Sequence, residues 1–207
     1  MPELILNFSP EEQQELSRLK SLPGKTIGTG LLEDKKFILF KEGEVGLKKI
    51  NDYLTACGCE TFEQITHSGW YPVSCNLISY FLARKLFGWD NKTMKEMGKN
   101  SPKISLLMRS MAKYFISPKK LFDAASLYWQ KFYNVGSLEP IELNLEKRYC
   151  ILSLKNFPGH ELFCRHLEGV FEMVSSFLNY KEIKCQEIKC PLKNQGADHI
   201  FMVTWKE

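Results

Sequence analysis

The sequence has no apolar run long enough to cross a bilayer. Its longest stretch without Lys, Arg, Asp or Glu, Gln64 to Ala83, is broken by Gln, Thr, His, Ser, Gly, Pro and Asn. Met1-Pro2-Glu3-Leu4 lacks a basic start followed by an apolar stretch, so no secretory leader is expected and a cytoplasmic location is. Charge of one sign is scarce: 28 Lys and Arg against 24 Asp and Glu leave +4. With no clustered basic face, no nucleic-acid partner is expected. A phosphate-cradling glycine loop, a nucleophile elbow and an HExxH helix are all absent, and no catalytic residue is assigned. Histidine is sparse, with only His67, His160, His166 and His199.

What is present fits an ordinary globular chain, with 44% hydrophobic and 25% charged residues. Aromatics are in surplus: 14 Phe, 8 Tyr and 4 Trp exceed what a core of this size needs, so part of them is expected to line a cavity. Trp70, Tyr71, Tyr114, Phe115, Trp129, Phe132 and Tyr133 are the candidate lining residues, with simple core packing as the alternative for each. The seven cysteines are odd in number. Without a leader they read as thiols, some of them metal ligands, with disulfides the weaker reading.

Periodicity divides the chain. Ser9-Pro10-Glu11-Glu12 is a capping box opening a helix that Leu22-Pro23-Gly24 ends. Phe37–Phe40 is apolar without a clear assignment. Leu47, Ile50, Leu54 and Cys57 share a helix face closed by Gly58, and residues 73–87 form a helix closed by Gly88. Ser101-Pro102 and Ser117-Pro118 each read as a helix start. After Gly136 the period changes to two, predicting strands at 137–144, 148–156, 181–189 and 199–206 around a helix at 160–178. Pro140 marks the first of these as an edge strand. The expected fold is α+β, an N-terminal helical half packed on a C-terminal antiparallel four-stranded ββαββ unit. It is read as a single domain over 1–207, with a leading segment 1–40, a helical half 41–136 and the ββαββ half 137–207.

Three groupings bear on chemistry. Cys164 and His160 stand four apart on one helix and could form a dyad, although a buried Cys beside a surface His explains them more simply. Glu168 and Glu172 share a face, read as a solvated one. The third grouping is Cys164, Glu187, Cys190 and His199, spaced Cys-x22-Glu-x2-Cys-x8-His. A hairpin between the last two strands brings Cys190 and His199 to one end of the ladder, and the helix over the sheet can deliver Cys164. Two thiolates, a carboxylate and an imidazole make a tetrahedral set for Zn²⁺. Seven cysteines generate many spacings, so the pattern alone leaves a purely structural role open.

Residues 148–207 resemble the 4-vinyl reductase type of small-molecule-binding domain. The resemblance rests on Cys164-Arg165-His166-Leu167-Glu168-Gly169, Glu187-Ile188-Lys189-Cys190, Gly196 and His199-Ile200-Phe201-Met202-Val203. The wider superfamily includes haem nitric-oxide sensor domains and vesicle-tethering subunits. The resemblance implies an α+β fold around an apolar pocket. In the sensor domains of phenol- and toluene-responsive activators, the matching Cys, Glu-x2-Cys and a last Cys hold a structural zinc. Here Cys164, Glu187 and Cys190 match, and His199 stands for the last Cys at a slightly shifted spacing.

The expected function is a stand-alone ligand-binding or sensory module holding a small lipophilic or aromatic molecule, with a structural zinc. A homodimer and a signalling protein are the expected partners. The alternatives are a haem gas sensor and an assembly subunit without catalysis. An enzyme is not favoured, since no redox-cofactor fingerprint is present. Haem is not expected either. The one histidine before residue 160 is His67, beside Ser68-Gly69, and the Tyr-x-Ser-x-Arg signature that grips propionates in those sensors is missing.

Overall fold

The Ser9 hydroxyl accepts from the Glu12 amide and the Glu12 carboxylate accepts from the Ser9 amide, which starts helix α1, Pro10–Lys20. Pro10 occupies the first turn, where its missing N–H costs nothing. The computed structural model describes residues 8–104, 117–157, 159–178, 180–193 and 196–206. The chain gathers into two compact units, Met1–Asp90 and Asn91–Glu207.

In the first unit, β1 (Lys25–Ile27) pairs antiparallel with β2 (Trp70–Pro72). Helix α2 (Gly28–Ala56) bends at Gly43, whose φ of 67° leaves the helical path. Phe37–Phe40, unassigned by periodicity, lies in the first limb of α2, because the Gly43 break cuts the apolar repeat short. Helix α3 (Val73–Phe87) is buried along most of its length and ends at left-handed Gly88, as its sequence requires. A buried carboxylate joins α2 to α3: Asp34 Oδ2 accepts from Asn76 Nδ2 at 3.0 Å and from Tyr80 Oη at 2.9 Å. Lys85 and Glu12 pair at 2.8 Å between α3 and α1.

In the second unit, α4 (Asn91–Ile104) runs through Ser101-Pro102, so the helix start expected there is not made. The Ser117-Pro118 start is made: the Ser117 hydroxyl caps α5 (Pro118–Asp123), which is followed by α6 (Ala125–Phe132). The strands are β3 (Ser137–Asn144), β4 (Tyr149–Lys155), β5 (Lys181–Lys189) and β6 (His199–Lys206). They form one antiparallel sheet in the order β3-β4-β6-β5, with Pro140 on the edge strand. Helix α7 (Glu161–Ser176) sits between β4 and β5 in the chain, completing the ββαββ order. His199, Phe201, Val203 and Trp205 alternate inward on β6 and bury one sheet face.

Helices α4 and α7 meet backbone to backbone. A Cβ on Gly98 would stand 2.0 Å from the His166 carbonyl oxygen, and one on Gly169 would stand 2.0 Å from that of Lys95. Only hydrogen fits at either place. No helix among the described residues is long and apolar enough to cross a membrane.

Candidate metal centre

Helix α7 supplies Cys164, the end of β5 supplies Glu187, and Cys190 follows it. His199 opens β6. In a regular strand Glu187 and Cys190, three residues apart, would face opposite sides of the sheet. The register of β5 against β6 slips between Glu187 and Lys189, and this irregularity brings Cys190 back to the side of Glu187. The Glu-x2-Cys spacing works because of that bulge.

The four ligand atoms lie within 4.8 Å of one another, and no other group of this kind occurs among the described residues. Cys164 Sγ is 3.5 Å and Cys190 Sγ 3.9 Å from His199 Nδ1, which donates to Glu187 Oε1 at 2.7 Å. Burial pushes the Cys164 and Cys190 thiols up, and the neighbouring Glu187 charge adds to the effect. Burial alone would raise Glu187, but its hydrogen bonds with His199 and Cys164 hold it below the usual carboxylate range.

Side-chain ion pairs surround the cluster. Arg165 Nη2 pairs with Glu187 Oε2 at 2.7 Å and Arg165 Nη1 with Glu168 Oε1 at 2.5 Å. Glu168 Oε1 also accepts from the Glu187 amide at 2.8 Å. Glu172 accepts from the Cys185 amide at 2.8 Å and pairs with Lys95 at 2.7 Å and Lys99 at 2.6 Å. Lys95 in turn donates to the Cys185 carbonyl at 2.9 Å. The reading of Glu168 and Glu172 as a solvated face is corrected: both are buried, because lysines of α4 reach over to neutralise them. The lysine spacing on α4 was the available signal. His160 is likewise buried, not a surface residue, and its Nδ1 accepts from the Leu162 amide as the cap of α7.

The aromatic candidates divide between the units. Trp70 and Tyr71 lie on β2, with Trp70 exposed and Tyr71 Oη accepting from the Thr66 amide. Trp129 and Phe132 lie on α6 and Tyr133 caps it. Trp129 stacks on Tyr133 at 4.4 Å and meets Phe157 edge-on at 5.1 Å, and Phe157 stacks on Phe163 at 4.8 Å. Phe157 and Phe163 were not among the expected lining residues. Tyr114 and Phe115 lie outside the described residues. Cys59 and Cys75 form a disulfide, against the expectation of thiols.

No family model matches the chain, and no curated protein matches it. Solved structures do. An H-NOX protein from S. oneidensis in its Fe(II)NO ligation state aligns at a TM-score of 0.67 and 11% identity, covering 87% of this chain and 99% of that one. An unliganded Fe(II) H-NOX variant from K. algicida gives 0.65 and 15%, covering 87% and 97%. An oxygen-binding H-NOX domain related to soluble guanylate cyclases gives 0.59 and 16%, covering 87% and 95%. At these identities the likeness establishes the fold alone: the chain has the architecture of these H-NOX domains.

This corrects the expectation against haem. The neighbours are iron-ligating domains, one of them described by the modulation of its haem redox potential through porphyrin distortion, so the fold is one that accommodates the group. The structural zinc is not confirmed by these likenesses. His160 and His199 have ring nitrogens committed to Leu162 and Glu187, His166 is buried between α7 and Gly98 of α4, and His67 is exposed on a turn.

Proposed function

We propose that the chain is a ligand-binding sensor module on the H-NOX fold, with haem-based gas sensing as its leading reading. The observation that carries it is the match over 87% of this chain and nearly the full length of the iron-bound neighbours. Haem, when bound, supplies an iron that ligates a diatomic gas. The chain's own residues supply the response. Lys95 and Lys99 of α4 grip Glu168 and Glu172 of α7, while Gly98 and Gly169 let the two backbones touch. A displacement of α4 is therefore carried into α7 and, through Arg165 and Glu187, into β5. The test is spectroscopic: the full chain, mixed with ferrous haem and passed through a desalting column, retains a Soret band that shifts with nitric oxide. A colourless eluate overturns the haem reading. A small lipophilic or aromatic ligand among Trp129, Phe132 and Tyr133 is then the alternative.

A second reading concerns Cys164, Glu187, Cys190 and His199, which we propose as ligands of a metal ion that closes its own coordination sphere. Tetrahedral bonds of about 2.3 Å to sulfur and about 2.0 Å to nitrogen imply a sulfur–nitrogen edge of about 3.5 Å. The two edges here are 3.5 and 3.9 Å. Four protein ligands leave no open position, so the ion would staple α7 to the terminal hairpin and catalyse nothing. Membership of the 4-vinyl reductase family, a homodimer, a cytoplasmic location and a signalling partner complete the proposal. Native mass spectrometry of the purified chain tests metal, ligand and oligomeric state together.

A further inference from the structure

The first unit holds a reactive arrangement that the sensor reading does not use. Helix α2 ends at Ala56, and Cys59 follows two residues after the capping Cys57. Cys75 is the third residue of α3. The two are disulfide-bonded, and both line a cleft of about 640 Å³ with Thr55, Glu60, Thr61 and Gln64. A cleft of that size accepts a small molecule of peptide dimensions. Polar and apolar surface share its walls about equally, and the hydroxyl, carboxylate and amide groups of Thr55, Thr61, Glu60 and Gln64 suit a visitor with hydrophilic groups.

We propose that Cys59–Cys75 is a thiol–disulfide exchange site, worked by low-molecular-weight peptide thiols that enter this cleft. The placement of each sulfur supports the chemistry. Cys75 is the more exposed of the pair, as Cys59 is buried. It also sits in the first turn of a fifteen-residue helix, where unpaired amides and the helix dipole favour a thiolate.

Exchange then runs in two balanced steps. The incoming thiolate bonds to Cys75 Sγ as the Cys59–Cys75 bond breaks, and Cys59 takes the electron pair and a proton from water. A second thiolate attacks the visitor's sulfur in the mixed disulfide. Cys75 leaves as a thiolate stabilised by the start of α3, and the small molecule departs as its symmetric disulfide. Two thiols are oxidised for one disulfide reduced. Oxidation by the symmetric disulfide is the reverse.

The neighbouring Cys57 thiol does not compete: burial pushes it up, so it stays protonated and poorly nucleophilic. The consequence is local. The bond ties the ends of the 60–74 segment, which carries β2, and opening it leaves that segment held by its pairing with β1, by the Gly28 and Thr29 amides on the Gly69 and His67 carbonyls, and by Asn51 on Phe62 and Glu63.

The experiment holds the full chain in buffers of graded reduced-to-oxidised glutathione, quenches by alkylation and maps the label by mass spectrometry. Cys59 and Cys75 are expected to become labelled together while far-ultraviolet circular dichroism stays native. Cys59→Ser is expected to take up one glutathione on Cys75 from oxidised glutathione. A pair that stays closed in reduced glutathione until denaturant is added overturns the proposal, as does opening by a protein dithiol alone. An adduct on any other cysteine of the folded variant overturns it too. If Cys59→Ser fails to fold, the titration of the unaltered chain decides.

Discussion

His199 Nδ1 stands 2.7 Å from Glu187 Oε1, closer than two ligands of one tetrahedral ion stand to each other. Bonds of about 2.0 Å place that edge at about 3.3 Å. Metal binding thus exchanges this hydrogen bond for two coordinate bonds and moves the two groups apart by about 0.6 Å. The thiols, raised by burial, must also give up their protons. Affinity for zinc should therefore climb as pH rises. Zinc at a hundred times its dissociation constant should stabilise the fold by about 2.7 kcal/mol. Cys190→Ser should abolish both effects. Thermal unfolding with and without zinc at several pH values checks this, and an unchanged melting temperature in the parent removes the metal site.

Gly98→Ala should loosen the second unit. The new methyl group would stand 2.0 Å from the His166 carbonyl, which is backbone and cannot turn aside. Overpacking of this kind costs about 1–3 kcal/mol. Urea unfolding should report that loss. Any haem or ligand response should weaken with it, because α4 would no longer seat on α7.

Much of this architecture was legible. The strands and α7 were readable because an apolar period of two or 3.6 follows directly from which face is buried. The grouping of Cys164, Glu187, Cys190 and His199 was readable because thiols, carboxylate and imidazole are few and their spacing brackets a hairpin. What escaped were features set by tertiary approach. Pro102 resembles a helix start, yet α4 continues through it. Glu168 and Glu172 look like a wet face until Lys95 and Lys99 arrive from a helix some seventy residues earlier. The Cys59–Cys75 bond depends on the return of the chain across β1 and β2, which no local pattern encodes.

The double variant Cys59→Ser, Cys75→Ser should be less stable than the oxidised parent. A crosslink between residues 16 apart restricts the unfolded chain by about 3 kcal/mol. Reduced parent and double variant should unfold at the same urea concentration, and a higher midpoint for the oxidised parent alone confirms the assignment. Equal midpoints for all three would mean that the bond contributes nothing to stability.

Two buried groups should give opposite pH dependences. Burial raises Asp34 to about 7 from 3.8, against the hydrogen bonds from Tyr80 and Asn76, so the folded chain holds a proton that the unfolded chain has lost. Its contribution to stability is present below 3.8 and falls as pH rises towards 7. Burial lowers His166 to about 3 from 6.5, so here the unfolded chain binds the extra proton, and stability rises with pH up to 6.5. Each slope is about 1.4 kcal/mol per pH unit. Between 3.8 and 6.5 the two cancel if residues 1–207 unfold as one cooperative domain, the arrangement we propose. Asp34→Asn should then make the stability of that single transition climb more steeply with pH across this window. His166→Gln should make it climb less steeply, by a similar amount. Asp34 belongs to the first compact unit and His166 to the second. If each variant shifts a different transition, the chain unfolds as two domains and the single-domain proposal fails. Calorimetry of parent and both variants at four or so pH values decides between these outcomes, because a scan resolves one heat-capacity peak from two.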